Sequence, residues 1–450
     1  MDETTNQYIP NETMTLRGEK MKITQFTMED VRCFGERQTL EIRPLTFLVG
    51  ENSTGKTTAL GCFHVLANYL RNGEVDFNSH PYSMGIFKDI VRNSRPKAKT
   101  FKLGFVYKHA NEEVQWIVEF VQKKERFEPT VDSVTVKFSD GTIVFKIEDE
   151  LRWTERLTTC DVEQNQYRID CGNEIFSTLF LDISLDSLKG QPEDIVALAE
   201  YLEARGSAVS SGYEPWDIWA TISVFSASPV RSRPKRTYDP TREFNDPEGS
   251  DIPMLLMRIE ATQQKQWETL KTQLVEFGKS SGLFQNIEIK NFGRSLGGPF
   301  QLEFKVRGPN ANIVDVGYGV SQILPILVHV LNPNISEHEM NFSLLQQPEV
   351  HLHPRAQAEL SSLLAQLGSQ SNRSFIVETH SDYMISRARI GIIKGNIRPE
   401  DVSLIYFEPK GNVVKVHNIG FDRDANLIGA PTNYRDFFLR ESKQLLGFGD

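Results

Sequence analysis

Eight consecutive residues, Gly50-Glu51-Asn52-Ser53-Thr54-Gly55-Lys56-Thr57, have the G-x-x-x-x-G-K-[ST] spacing of a phosphate-binding loop. The chemistry explains the residue types. Glycines let successive backbone N–H groups close around phosphate oxygens, Lys56 is long enough to reach the β and γ phosphates, and the Thr57 hydroxyl suits Mg²⁺. Thr58, next in the chain, joins the same set of candidate nucleotide ligands. The loop follows the apolar run Thr46-Phe47-Leu48-Val49 and precedes Thr58-Ala59-Leu60, which continues toward Phe63, Ala67 and Leu70 at helical spacing. Strand, loop and helix in that order predict a site for ATP and Mg²⁺.

Hydrolysis needs a second strand that brings a carboxylate and a water-orienting group to the γ phosphate. The candidate is Asn341-Phe342-Ser343-Leu344-Leu345, followed by Gln346-Gln347-Pro348-Glu349-Val350-His351-Leu352-His353-Pro354 and a helix with Ala356, Leu360, Leu363, Leu364 and Leu367 inward. Gln346 is expected beside Thr57 at the Mg²⁺ position, with Gln347 and Glu349 as further candidates for the chemistry. A third strand, Ser374-Phe375-Ile376-Val377, ends in Glu378-Thr379-His380-Ser381, which places His380 where it could touch the γ phosphate. Glu378 is read as orienting His380 or pairing with a loop cation. Upstream, Gly317, Gly319 and Ser321 precede the helical run Ile323-Leu324-Pro325, and such a helix start makes an anion site that a partner subunit's nucleotide could occupy. His351 and His353 stand two apart in a loop with no cysteine nearby, a pattern more often structural than metal-binding.

These segments need a sizeable scaffold. The chain has 450 residues, 39% of them hydrophobic and 24% charged, enough for two or three packed units. Its net charge of -10 excludes a general cationic surface, so any nucleic-acid contact must be a local patch. Cys33, Cys62, Cys160 and Cys171 are scattered without C-x-x-C spacing, which speaks against a zinc site or disulfide framework and for a reducing cytoplasm. No apolar run reaches membrane-spanning length, and the first residues are acidic and polar, so no membrane partner is expected.

In chain order, residues 1–20 read as a flexible tail. Residues 21–180 read as an ATPase N-lobe in which short strands lead to the phosphate loop and residues 101–170 form an antiparallel lobe. There Val134, Val136 and Phe138 meet Ile143, Phe145 and Ile147 across an Asp140-Gly141 turn. The run Lys88 to Lys102 carries six cations against Asp89, as a solvated loop or a phosphate-backbone contact. Residues 181–300 read as a helical insertion, with helices at 188–204 and 253–278 and a loop at 229–249. In that loop Arg231, Arg233, Lys235 and Arg236 are held extended by prolines, suited to a polyphosphate or to solvent. Residues 301–420 form the C-lobe, followed by a tail at 421–450 with a helix from about 433 to 446. A hairpin of residues 402–407 and 413–417 follows the nucleotide core. The predicted class is α/β, a P-loop core with an antiparallel β lobe, a helical insertion and a hairpin-helix tail.

At Gly50 to Thr57, Gly317 to Gln322, Leu344 to Pro354 and Glu378 to Ser381 the chain resembles the ABC-type heads of the SMC and overcoming-lysogenisation-defect kind, known as AAA family ATPases. The run Gln-Pro-Glu-Val-His-Leu-His-Pro with Glu-Thr-His-Ser-Asp is similar to the branch that supplies ATPase subunits of bacterial anti-phage systems such as PARIS and Septu. The resemblance implies a homodimer, or a larger assembly such as a hexamer of dimers, with each ATP lying between one subunit's phosphate loop and the other's Ser321 turn. It also implies a separate nuclease or toxin effector and a phage protein or DNA as trigger. The family has carboxylates where this chain has Gln346 and Gln347. A glutamine cannot accept a proton, and a general base is commonly worth ~10²- to 10⁴-fold in rate, so turnover is expected to be slow or absent. Three explanations stay open: Glu349 substitutes, the protein is a nucleotide-gated switch, or a glutamine replaces a glutamate to trap ATP, the last being preferred for Gln346. The rival reading is a DNA-repair ATPase that grips DNA through Arg231, Arg233, Lys235 and Arg236.

Overall fold

The computed structural model describes residues 22–94, 97–109, 112–124, 126–139, 141–147, 150–157, 163–170, 222–239, 246–292, 298–332, 339–432 and 434. The expected tail at 1–20, helix at 188–204 and most of the helix at 433–446 lie outside them.

Runs with apolar residues at successive positions suit strands covered on both faces. Four strands with such runs (Phe47-Leu48-Val49, Leu344-Leu345, Phe375-Ile376-Val377 and Leu404-Ile405-Tyr406-Phe407) meet in the central sheet: β3 (Leu45–Gly50), β14 (Met340–Gln346), β15 (Arg373–Glu378) and β16 (Val402–Lys410). With β10 (Ile222–Ala227) at one edge and β17 (Val413–Phe421) and β18 (Leu427–Ile428) at the other, the order is β10-β14-β15-β3-β16-β17-β18. The first five strands run parallel, and β17 and β18 are antiparallel. Alternation along each strand sorts its side chains: Leu48, Leu344, Ile376 and Ile405 enter one core, while Phe47, Leu345, Val377 and Leu404 enter the other. Each such buried side chain contributes roughly 1.5–3 kcal/mol relative to exposure, which holds the phosphate-loop strand rigidly between its neighbours.

The first core lies between this sheet and an antiparallel one. The latter has the order β2-β1-β4-β5-β6-β7-β8-β9, from β1 (Lys22–Glu29), β2 (Gln38–Glu41), β4 (Thr100–His109), β5 (Glu112–Val121), β6 (Thr130–Lys137), β7 (Gly141–Ile147), β8 (Glu150–Leu157) and β9 (Glu163–Asp170). The expected hairpin holds its register, with Val134 opposite Phe145 and Val136 opposite Ile143. Between the sheets lies α1 (Lys56–Asn72), whose Phe63 ring meets Phe26, Phe105 and Phe342 at centroid distances of 5.4, 4.8 and 5.1 Å. The helix ends at Gly73, in the left-handed conformation, whose N–H donates to the Tyr69 carbonyl.

The second core is covered by α3 (Ile252–Thr262), α4 (Gln264–Ser281), α5 (Tyr318–Val330), α6 (Pro354–Gln370) and α7 (Asp382–Ile393), while the short α2 (Phe87–Ile90) belongs to the first. A small sheet of β11 (Asn286–Asn291), β12 (Phe300–Lys305) and β13 (Asn310–Asn312) joins this layer.

Three expectations are corrected. The helix expected at 253–278 is two helices, because Gln263 leaves helical geometry at φ -138, ψ 56. The stretch 181–300 is not purely helical: β10 is an edge strand of the central sheet, and β11 starts a second small sheet. The hairpin expected after the nucleotide core is part of it, since β16 is the direct parallel neighbour of β3 from Val402↔Leu45 to Phe407↔Gly50.

Candidate nucleotide site

The phosphate loop leaves β3 through two positions that exclude side chains. Gly50 has φ +146, and a Cβ there would lie 2.7 Å from the Phe407 carbonyl oxygen; at Gly55, φ +88, it would lie 2.7 Å from Phe34 Cζ. Ser53 also takes a left-handed φ of 63°. The Lys56 Nζ, buried at 3% exposure, folds back and donates to the carbonyls of Gly50 at 3.0 Å and Glu51 at 2.6 Å. Burial pushes the Lys56 ammonium below its ordinary range, and the nearby Glu378 carboxylate opposes that shift. Glu51, Asn52, Ser53 and Thr57 are exposed on the open side of the loop, whereas Thr58 is buried and its hydroxyl accepts from Arg32 Nη1 at 3.0 Å.

The parallel register brings the remaining segments to this loop. Gln346 at the end of β14 sits opposite Glu378 at the end of β15, and Glu378 sits opposite Leu48 in β3. The Thr57 hydroxyl donates to Glu378 Oε2 at 2.9 Å across 321 residues of sequence. Burial pushes the Glu378 carboxyl upward, opposed by the Thr57 hydrogen bond and by Lys56. Gln346 is buried, and its Nε2 has no hydrogen-bond partner. Gln347 is pinned by its backbone: its N–H donates to the Glu378 carbonyl at 2.8 Å, its carbonyl accepts from Arg231 Nη2 at 3.2 Å, and its φ is +42°.

Glu349 faces the Glu378-Thr379-His380-Ser381 segment. Its Oε1 accepts from the Thr379 hydroxyl at 2.7 Å and from the His380 N–H at 2.8 Å, while Oε2 is buried without a partner. The carboxylate thereby fixes the turn that presents His380. The His380 imidazole is exposed and lies within the field of Lys56; burial, then that cation, hold it below its ordinary range, with Glu349 opposing, so it is the neutral form near pH 7. The segment continues into α7, whose N-cap Ser381 accepts from the Met384 N–H and donates to Gln357 Oε1 at 2.5 Å.

The Ser321 turn lies on the other side of the loop after β14. Tyr318 packs edge-on against His351 at 4.8 Å, and a Cβ on Gly319 would meet the His351 carbonyl oxygen at 2.8 Å. The Ser321 hydroxyl donates to the Tyr318 carbonyl inside its own helix, while Gly317 and Tyr318 face solvent. His353 Nδ1 accepts from the Arg355 N–H at the start of α6, which gives both loop histidines structural duties. Among the described residues no group of three or more His, Cys, Asp or Glu is placed to hold a metal.

The structure thus brings the Lys56-Thr57 start of α1, Gln346 and the His380 segment to one end of the central sheet, and three contacts there had no counterpart in the sequence reading. It gave Glu378 no link to Thr57. It treated Arg231 as a loop cation, whereas Arg231 is buried with Nε and Nη1 unpartnered, and burial lowers its guanidinium to about 10, against the opposing fields of Glu349 and Tyr318. It also missed Arg32, whose Nη2 and Nε bind the Met84 and Asp89 carbonyls beside α1. Of the remaining loop cations, Arg236 forms a two-pronged pair with Asp315 at 2.6 and 2.7 Å, and Arg233 and Lys235 are exposed.

The residues fit a Mg²⁺ nucleotide. The glycine positions bring backbone close to any ligand of the loop, and a lysine, a hydroxyl and a carboxylate converge there. Mg²⁺ is commonly held by one or two protein oxygens together with substrate phosphates, so no larger cluster is needed.

Three solved structures are similar to the chain. An SMC head bound to the C-winged helix domain of ScpA has 13% identity over 89% of this chain and 98% of its own, with a TM-score of 0.45. The SMC head domain from Thermotoga maritima has 11% over 88% and 98%, with a TM-score of 0.38. The Smc head domain with an extended coiled coil, bound to the C-terminal domain of ScpA derived from Pyrococcus furiosus, has 12% over 95% and 99%, with a TM-score of 0.43. A comparison with curated proteins gives no match. The family model described as "AAA domain, putative AbiEii toxin, Type IV TA system" matches residues 45–386, from the phosphate-loop strand through the His380 segment, and the chain belongs to that AAA-domain family.

Proposed function

We propose that the protein is an ATP-binding subunit that closes on a second copy around nucleotide and thereby controls a separate nuclease or toxin effector in anti-phage defence. The observation that carries the nucleotide part is the meeting of Thr57 and Glu378 at 2.9 Å, with Lys56 and His380 beside them. In this reading Lys56 exchanges its bonds to the Gly50 and Glu51 carbonyls for phosphate oxygens, and Thr57 serves the Mg²⁺ shell with the Gln346 end of β14 next to it. Mg²⁺ supplies neutralisation of the triphosphate charge. His380, neutral and on a turn fixed by Glu349, reports the γ phosphate. The solvent-facing Gly317 and Tyr318 present the turn that a partner's nucleotide meets, with Ser321 behind it.

Gln346 and Gln347 cannot take up a proton, and the Gln347 backbone is held on both sides, so the protein works through its bound state with slow turnover. A bound state that differs from the free one in its head-to-head contacts is sufficient to switch an effector. The defence role rests on the family membership and the Gln-Pro-Glu-Val-His-Leu-His-Pro and Glu-Thr-His-Ser-Asp runs. Direct DNA gripping by the proline-flanked loop has less support, because Arg231 and Arg236 are engaged within the protein and only Arg233 and Lys235 are offered to phosphates. The test is solution mass with and without MgATP for the protein and Lys56→Ala, alongside phage challenge. ATP should double the mass of the former only, and Lys56→Ala should abolish defence. Full defence by a variant that binds no ATP would refute the proposal.

A further inference from the structure

The end of β14, where a Mg²⁺-anchoring acid is needed, holds a neutral carboxamide, Gln346, yet the Thr57 hydroxyl is not without a carboxylate. Glu378 reaches it from the next strand. Parallel pairing puts Gln346 and Glu378 at the same level, so both side chains leave the sheet at one corner beneath the phosphate loop. Glu378 Oε2 lies 2.9 Å from Thr57 Oγ1, with Glu378 5% exposed and Thr57 exposed, so the buried carboxylate is in direct contact with a solvent-facing residue of the loop. The neighbouring acid is directed at the His380 turn, with its second oxygen, Oε2, buried and unpartnered. Glu349 spends Oε1 on the Thr379 hydroxyl and the His380 N–H, and its charge faces Arg231. Gln346, a neutral carboxamide buried at the same level, supplies no charge to hold a cation.

We propose that Glu378 is the carboxylate that anchors the Mg²⁺ of the bound nucleotide, one strand over from where Gln346 stands. The requirement is for a single carboxylate at the shared end of β14 and β15, and the chain meets it from β15. Glu378 then acts with Thr57: hydroxyl and carboxylate are hydrogen-bonded to each other in the free protein and would together hold the ion. The inference rests on the nucleotide reading above. It differs from the simpler role of offsetting the Lys56 charge, and the two roles make opposite claims. A partner of Lys56 alone would alter metal-free ATP binding. A metal anchor alters only the gain that Mg²⁺ confers.

The experiment is titration of a fluorescent ATP analogue in EDTA and in Mg²⁺, for the unsubstituted protein, Glu378→Gln and the double variant Gln346→Glu/Glu378→Gln. Removing a metal-site group costs on the order of 10- to 100-fold in metal affinity. Glu378→Gln should therefore keep metal-free affinity while the Mg²⁺ gain falls ~10-fold or more. The double variant, which returns one carboxylate to the same corner, should recover the gain. It also carries the test if Glu378→Gln loses its cooperative melting transition. A Mg²⁺ gain in Glu378→Gln equal to that of the unsubstituted protein, or a double variant without any gain, overturns the assignment of Glu378 and leaves the nucleotide reading standing. No nucleotide binding by the unsubstituted protein in either buffer overturns both.

Discussion

Gln346→Glu tests whether the ends of β14 and β15 form one electrostatic corner. Adjacent strands lie about 4.8 Å apart, so a glutamate at 346 would place its charge ~5 Å from that of Glu378. Both positions are nearly sealed from water, at 4% and 5% exposure. At an effective dielectric constant of about 20, two unit charges at that distance repel by ~3 kcal/mol. Glu378 is already pushed upward by burial, so the new pair titrates above the ordinary carboxylate range. An acid whose folded value is raised binds protons more readily folded than unfolded. The destabilisation is therefore complete above the raised folded value and vanishes as pH falls below the unfolded value of about 4.3. Thermal melting followed by intrinsic fluorescence in EDTA should show the variant about 3 °C below the unsubstituted protein at pH 8. The gap should close toward pH 4.5, and MgATP at pH 8 should narrow it. Equal melting temperatures in EDTA at pH 8 would refute the geometry.

Further outcomes follow from the same contacts. Glu349→Ala removes the acceptor of the Thr379 hydroxyl and the His380 N–H, so amide hydrogen exchange over residues 379–381 should accelerate by ~10-fold or more, and unchanged protection would contradict the clamp. His64, bonded to Ser226 and Asn68, is held by burial at about 4, against an ordinary 6.5. A histidine whose folded value is depressed charges more readily unfolded, so it adds a loss of ~1.4 kcal/mol per pH unit as pH falls from 6.5 toward 4. His64→Asn should weaken that acid slope in denaturant titrations, and an identical slope would show that His64 is not buried neutral.

Local pattern carried much of the site. The phosphate loop and the apolar runs of the strands around it were legible because the loop's glycines and the two-sided burial impose residue types directly, as at Gly50 and Gly55 and in Phe47, Leu48 and Val49. What sequence could not give was adjacency. Nothing near Val402 announces that it lies against Leu45, because parallel partners are chosen by packing across hundreds of residues. For the same reason the Thr57–Glu378 bond was invisible. Charge type also misled at Arg231, where a proline-flanked cationic run resembles a solvated loop, yet one member turns inward to the Gln347 carbonyl. The break at Gln263 has no sequence signal, since glutamine is an ordinary helix former.

The account turns on whether this loop holds a triphosphate. Isothermal titration of ATP with Mg²⁺ into the full chain and into Lys56→Ala decides it. The account predicts saturable binding to the first, one nucleotide per chain, and at least ~100-fold weaker binding to Lys56→Ala, whose loop has lost its charge-assisted hydrogen bonds. Binding of equal strength to both, or to neither, would contradict it.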